Sequence, residues 1–119
     1  MIDRIRLSAA AKNQLANLKR RTGIEHYNTL CRHALCISLA NPTVPPKESI
    51  NFNGGIELDW RVFTSGQEVL YWNLIIVRAV EDAQELGEES LRQVLAAHIH
   101  RGLSYMASKS DEDLFSGLA

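Results

Sequence analysis

The hydrophobic pattern changes its period several times along the chain, and the first residues have the period of a strand. Arg4 and Arg6 alternate with Ile5 and Leu7, so the arginines share one face and the apolar residues the other. A strand this short needs a partner, and the simplest partner is the same strand of a second chain. We therefore expect an intermolecular β-ribbon.

Two helices are predicted after this strand. Ser8 is a suitable N-cap for a helix from Ala9 to Arg21, and Gly23 can end that helix in the left-handed conformation. The apolar period then resumes over residues 24–40 and predicts a second helix. All three prolines of the chain lie within residues 42–46, where they end the second helix and form an extended connector.

The sequence of the segment after the connector does not decide its secondary structure. Asparagine and glycine turn formers stand between apolar residues over positions 47–65, which leaves open a small hairpin or an ordered loop. Within it, Glu57 and Asp59 alternate with Ile56, Leu58 and Trp60, as in a half-buried strand.

Two further helices complete the expected fold. Residues 66–86 are apolar nearly all round over Val69–Val77, so we expect a helix that is buried on several sides, including against a second copy of the chain. A last helix is expected to about residue 108, followed by a loosely ordered acidic tail. The prediction is one mainly α domain with a basic half (1–41), a connector and loop (42–65), a helical pair (66–108) and a tail (109–119).

The charge is unevenly distributed. The chain as a whole carries −1, but residues 1–40 carry +5 and the remaining residues −6. A basic half joined to an acidic half indicates a surface for a polyanion, although an electrostatic match between the halves or between subunits would produce the same pattern.

The order of strand, helix, glycine turn and helix resembles a ribbon-helix-helix module, in which two paired strands enter the major groove of DNA. By position, Arg4 and Arg6 would be ribbon residues, and Glu25–Asn28 would open the second helix near phosphates. The strand lacks the Asn or Gln that reads adenine, and Glu25 brings negative charge to the phosphate position. A helical hairpin preceded by coil is the alternative interpretation.

Several segments together resemble a second family over the full length of the chain. They are Arg-Ile-Arg-Leu-Ser at 4–8, Lys-Arg-Arg-Thr-Gly at 19–23, Pro-Pro at 45–46 and Phe-Asn-Gly-Gly-Ile at 52–56. They are similar to the DndE family of the bacterial DNA phosphorothioate modification system. The resemblance implies a DNA-binding subunit that works beside sulfur-handling enzymes and is associated with nicked duplex.

The first helix carries the candidate phosphate contacts. Lys12 and Lys19 are seven residues apart and share one helical face, and Arg20 and Arg21 follow directly. Such contacts position a protein on DNA without reading its sequence. The predicted DNA-binding residues are Arg4, Arg6, Lys12, Lys19, Arg20 and Arg21.

Other chemistries find little support in the sequence. Neither histidine pair, at 26/33 or 98/100, has the i, i+4 spacing of a helical zinc pair, and His98 is expected to be a core residue with its hydrogen bonds satisfied. Cys31 and Cys36 are expected to be small core residues without a disulfide, and Asn53-Gly54-Gly55 lacks the ending of a nucleotide loop. We expect no catalytic residue, cofactor or metal.

The sequence therefore predicts a non-catalytic, cytoplasmic subunit that binds the backbone of duplex DNA. The resemblance to the DndE family implies that it holds this duplex, including nicked duplex, for partner enzymes of DNA sulfur modification. A ribbon contact together with a contact through residues 69–80 predicts a homotetramer, with no membrane segment. The alternatives are a sequence-specific ribbon-helix-helix repressor and an adaptor that binds only protein.

Overall fold

The computed structural model describes residues 1–46 and 49–118, without the side chains of 117 and 118. The elements in chain order are β1 (Arg4–Leu7), α1 (Ala9–Thr22), α2 (Tyr27–Ala40), β2 (Ile56–Asp59), α3 (Trp60–Phe63), α4 (Glu68–Glu81), α5 (Glu88–Ser108) and α6 (Asp111–Leu118). The mainly α prediction is confirmed. Within the described residues, no helix is both long and apolar enough to cross a membrane.

The ends of α1 follow the local signals of the sequence. The Ser8 side chain accepts a hydrogen bond from the backbone N–H of Ala11, and Gly23 ends the helix at φ 73° with its N–H on the carbonyl of Lys19. Only glycine adopts this left-handed conformation without strain. Leu15 and Leu18 are fully buried, so the opposite face of α1 is turned to solvent.

The strand β1 has a different partner from the one expected. It pairs antiparallel with β2 of the same chain, and Leu7 lies opposite Ile56. Gly55 makes this approach possible, because a Cβ at that position would lie 1.8 Å from the carbonyl oxygen of Leu7. The intermolecular ribbon is therefore not confirmed, because one edge of β1 pairs with β2 of its own chain. The alternating segment forms the strand β2 at residues 56–59, and the described residues 49–65 contain no second strand that would complete a hairpin.

The longest helix, α5, is the centre of the fold. It packs mainly against α2, and also against α1 and α4. A Cβ on Gly102 would lie 1.9 Å from the carbonyl oxygen of Ala34, so the glycine allows the backbones of α5 and α2 to touch. Leu95, Ile99 and Leu103 form the buried face of α5. The second helix of the basic half therefore packs chiefly on α5, which a ribbon-helix-helix hairpin does not require.

Two arginines bind the carboxyl end of α2. Arg78 donates to the carbonyl oxygens of Leu39, Asn41 and Thr43 at 2.6–2.9 Å, and its Nε lies 2.9 Å from Asp82. Arg101 donates to the carbonyl oxygens of Ser38 and Thr43. Carbonyls at a helix end need outside donors, and the proline-rich connector has few N–H groups to offer. These long-range bonds fix where the connector leaves α2.

The helix α4 is much less buried than its composition suggests. Its buried residues are Ile75, Arg78 and Ala79, whereas Val69, Val77 and Val80 are 65%, 56% and 59% exposed. The expectation of burial on several sides is not met within one chain, because only one face of α4 packs against α5. An exposed apolar face of this kind indicates an interaction surface.

The carboxyl-terminal segment differs from the expected loose tail. Residues 111–118 form α6, with Leu114 buried and the side chain of Ser110 accepting from the N–H of Asp113. The cysteines also differ from each other. Cys31 is buried as expected, but Cys36 is exposed, and neither forms a disulfide.

Candidate nucleic-acid interface

The outer face of α1 presents three cations to solvent. Lys12, Lys19 and Arg20 are all exposed, and the seven-residue interval between the lysines places them two turns apart on the same side. Within residues 1–46 and 49–118, no ion pair ties any of the three to a carboxylate. We call Lys12, Lys19 and Arg20 the α1 basic face.

The α1 basic face extends towards the start of α2. The Nζ atom of Lys19 lies 5.9 Å from the ring centroid of Tyr27, the first residue of α2. The helix begins after His26, whose side chain makes no capping hydrogen bond, and Glu25 is exposed beside it. The predicted start of the second helix therefore lies close to Lys19, with one acidic residue at its edge.

Arg21 is arranged differently from its neighbours. Its Nε lies 2.7 Å from Asp111, and its Nη atoms donate to the backbone carbonyls of Ala107 and Lys109. Its side chain is 20% exposed. The guanidinium thus holds the junction of α5 and α6 against α1, and it has little capacity left for a phosphate.

The two arginines of β1 face solvent but lie among acidic residues. Arg4 is opposite Asp59 and Arg6 is opposite Glu57 in the strand register. The Nη1 atom of Arg4 lies 3.4 Å from Glu57, and the Nε atom of Arg6 lies 3.8 Å from the same carboxylate. Arg6 also stacks over Phe52 at 5.0 Å. Because two acids offset the two arginines, the outer face of this sheet carries no net charge.

The support for α1 includes a histidine contact that the sequence did not indicate. The backbone N–H of Ser8 donates to His100 Nε2 at 3.1 Å, and His100 Nδ1 lies 2.6 Å from the carbonyl oxygen of Ala96. Burial lowers the pKa of His100, although the bond to Ala96 acts in the opposite direction. The neutral ring can accept from Ser8 while donating to Ala96. Sequence spacing alone shows no partner 92 residues away.

The other histidine of α5 lies in the core. His98 is fully buried, with Nδ1 2.7 Å from Ser38 Oγ, and burial together with the charges of Arg78 and Arg101 lowers its pKa to about 4. Its Nε2 has no partner among the described residues. The expectation of a core histidine is confirmed, but only one of its two ring nitrogens is hydrogen bonded.

Nucleophilic and metal sites are not assembled in the described part of the chain. Burial raises the pKa of the Cys31 thiol to about 12, which keeps it protonated and unreactive. Among residues 1–46 and 49–118, no group of three or more His, Cys, Asp or Glu side chains could hold a metal ion.

A groove of about 970 Å³ lies between the connector and α5, and Arg6 lines its edge. It does not include the α1 basic face.

A comparison with protein families shows which family the chain belongs to. The family model described as DNA sulphur modification protein DndE matches residues 4–113. The chain belongs to the DndE family. No curated protein matches the chain.

A solved DndE-family structure agrees with this assignment. It is the crystal structure of DndE from Escherichia coli B7A, a protein involved in DNA phosphorothioation modification. The TM-score is 0.74 at 23% sequence identity, over 87% of this chain and 97% of that chain. This likeness shows a shared fold.

The DndE match covers every residue proposed for DNA contact. It begins at Arg4, contains the whole of α1 and ends within α6. The resemblance to the DndE family drawn from the sequence is therefore confirmed. The ribbon-helix-helix resemblance is not, because β1 pairs with β2 and α2 packs mainly on α5.

Proposed function

We propose that this DndE-family chain is a non-catalytic subunit of the DNA sulfur modification machinery that binds the backbone of duplex DNA, including nicked duplex, for partner enzymes. The observation that carries the proposal is the α1 basic face, whose three exposed cations lack acidic partners in the described part of the chain. Two lysines at two-turn spacing, with an arginine beside the second, suit phosphate contacts, which contribute affinity without reading sequence.

The six predicted contact residues have unequal roles in this proposal. Lys12, Lys19 and Arg20 contact phosphates directly. Arg4 and Arg6 contribute less, because Glu57 already neutralises part of their charge. Arg21 acts as a positioning residue that holds α6 against α1.

The proposal also includes self-association. The exposed apolar face of α4 supports one contact between copies. The predicted tetramer needs a second contact, and β1 uses one of its edges for β2 within the chain. A tetramer thus stays a prediction that depends on another surface.

The repressor alternative is less well supported by these contacts. Base reading in the major groove needs a ribbon with free donors, and the sheet of this chain opposes Arg4 and Arg6 with Asp59 and Glu57. Binding that strongly prefers one palindromic sequence over random duplex would favour the repressor.

The test is binding of intact and nicked random duplex over a salt series. The variant replaces Lys12, Lys19 and Arg20 with Ala, and the matched control replaces Arg61, Arg92 and Lys109 with Ala, which removes the same charge from outside α1. Each lost phosphate contact should lower the log–log salt slope by about 0.9, so the first variant should lose roughly 2 to 3 units. Equal binding by wild type and both variants would contradict the assignment. No binding by any of them would favour an adaptor that binds only protein.

A further inference from the structure

The groove between the connector and α5 has an apolar wall on the connector side. This wall is formed by Val44, Pro45, Ile50 and Phe52, and the opposite side is formed by the turn between α4 and α5 and by α5 itself. The volume of about 970 Å³ is within the range of about 300–1,000 Å³ that is common for ligand sites. Among the described residues that line it, none belongs to α1 or α4. We call it the connector groove.

The rim of the connector groove at the turn between α4 and α5 is acidic. The sequence between Arg78 and Arg92 contains no lysine or arginine. Its acids are Glu81, Asp82, Glu85, Glu88 and Glu89. Asp82 is paired with Arg78 at 2.9 Å, but in the part of the chain that the structure describes Glu85 has no ion pair. This rim repels the phosphates of DNA and attracts lysine and arginine side chains.

A fully buried histidine of the connector groove has an unused hydrogen-bond donor. His98 lines the groove, and its Nε2 has no partner among the described residues. The Oγ of Ser38 accepts from Nε of Arg101 at 2.8 Å and lies 2.7 Å from His98 Nδ1. Because arginine only donates, the hydroxyl hydrogen of Ser38 is free to donate to Nδ1. The ring is neutral at pH 7, since its pKa is about 4, so its own proton is on Nε2 and suits a carbonyl oxygen.

We propose that the connector groove binds a short extended segment of a partner protein. Its apolar side chains contact the connector, a backbone carbonyl accepts from His98 Nε2, and a lysine or arginine lies at Glu85 and Glu89. A peptide backbone suits a neutral donor, because it offers a carbonyl at every residue. The inference rests on the proposed role of this chain beside partner proteins, and it does not depend on DNA binding by the α1 basic face.

The length of the segment follows from the geometry of α5. Glu89 and His98 are nine residues apart on this helix, which is about 14 Å at about 1.5 Å per residue. An extended chain covers that distance with about four residues at about 3.3 Å each. A random library of displayed peptides of about seven residues therefore contains the segment with its flanks. Peptides selected on the immobilised full chain should combine apolar residues with lysine or arginine.

Binding of one selected peptide, made synthetically, tests the location. Ala97→Trp places an indole in the groove from a half-buried position of α5. Glu85→Lys with Glu89→Lys reverses the exposed rim. Each change should weaken binding by about tenfold or more, whereas Glu112→Lys with Asp113→Lys, which reverses two exposed acids of α6, should have no effect. Acidic peptides, no selection above the bare support, or equal binding by all variants would overturn the proposal.

Histidine NMR on the isotope-labelled full chain tests the role of His98. The free chain should show a neutral His98 ring with its proton on Nε2, and this signal should shift when the selected peptide is added. A proton on Nδ1, or binding that leaves the His98 signal unchanged, would overturn the site. Duplex DNA should not displace the peptide, and displacement would place the peptide on the α1 basic face instead. Since the peptide measurements use no DNA, a chain that binds the peptide but not DNA would contradict the proposed DNA contact alone.

Discussion

The helices α1 and α4 have the same length and both pack against α5, but their outer faces are opposite in character. Each has 14 residues and buries one side. The solvent side of α1 presents Lys12, Lys19 and Arg20, whereas that of α4 presents mainly Val and Leu. One scaffold thus supports a cationic surface suited to a polyanion and an apolar surface suited to a protein. The difference implies that the proposed DNA contact and the proposed subunit contact can be altered separately.

The largest effect is expected from a substitution in α5, the helix against which both α1 and α4 pack. Gly102→Val would force its side chain into the backbone of α2, 1.9 Å from the carbonyl oxygen of Ala34. Overpacking of a tight core costs about 1–3 kcal/mol or more, and rigid backbone leaves little room for relaxation, so we expect a loss at the upper end of that range. Urea unfolding measures the free energy of unfolding directly.

The control for this change is Gly87→Ser. Gly87 precedes α5 with φ −64°, and a Cβ there would meet nothing within 4 Å. Its stability should change by less than about 1 kcal/mol, because serine is also a good N-cap. Equal losses at the two positions would show that the close contact of α5 with α2 is not what Gly102 provides.

The second prediction concerns the pH dependence of stability that arises from His98, a buried residue of α5 whose pKa is affected by Arg78 and Arg101. The folded-state pKa of His98 is about 4, below the ordinary value of 6.5. As pH falls, His98 therefore takes up a proton in the unfolded chain before it does so in the folded chain. The stabilisation that the neutral ring provides is fully present above pH 6.5 and is lost between about pH 6.5 and pH 4. The full loss is about 3 kcal/mol from a shift of this size.

Unfolding in urea from pH 7.5 to pH 4 tests this dependence, with His98→Asn as the comparison. Asparagine keeps a hydrogen-bonding group near Ser38 but cannot take up the proton. The variant should be less stable at pH 7.5 and should show a flatter pH profile. Parallel profiles for the two proteins would exclude His98 as the source of the acid sensitivity.

The third prediction places the same new carboxylate on each of the two faces. Lys19→Glu should lower DNA affinity roughly tenfold at physiological salt, because it removes a phosphate contact and adds repulsion. Val77→Glu should leave the affinity of each protomer unchanged and should dissociate the oligomer. Binding to a duplex too short for two protomers, together with sedimentation, measures both effects. A loss of DNA affinity in both variants would show that the two surfaces are not independent.

The sequence predicted well those features of the fold that depend on neighbouring residues. The caps of α1 at Ser8 and Gly23 and the alternation of β1 depend on neighbouring residues, and the structure confirms them. The partner of β1 could not be predicted, since β2 begins 49 residues after β1 ends. The role of Arg21 was missed for the same reason, because its carbonyl acceptor on Lys109 is 88 residues away.

The order of α6 was misjudged for a different reason, and the burial of α4 is met on only one side within a single chain. A helix that is apolar nearly all round has the same composition whether its outer side is covered by its own chain or by another copy. The acidic run at residues 111–113 suggested a loose tail, yet acids favour the first turn of a helix, and Leu114 anchors α6 in the core. Composition shows what a surface prefers to contact, but it does not show which chain provides the contact.

The smallest effect is expected at the junction that positions the α1 basic face. Ser8→Ala removes the acceptor for the N–H of Ala11 and should cost about 1 kcal/mol, as N-cap losses usually do. The backbone N–H of residue 8 can still donate to His100, so α1 should keep its place on α5. Ser110→Ala, which removes the corresponding acceptor at α6, should cost less because α6 is terminal. Thermal unfolding gives both values, and DNA affinity at 20 °C should be unchanged in Ser8→Ala. A fall in affinity without a fall in melting temperature would assign Ser8 a direct contact with DNA, which would extend the DNA interface to the amino end of α1.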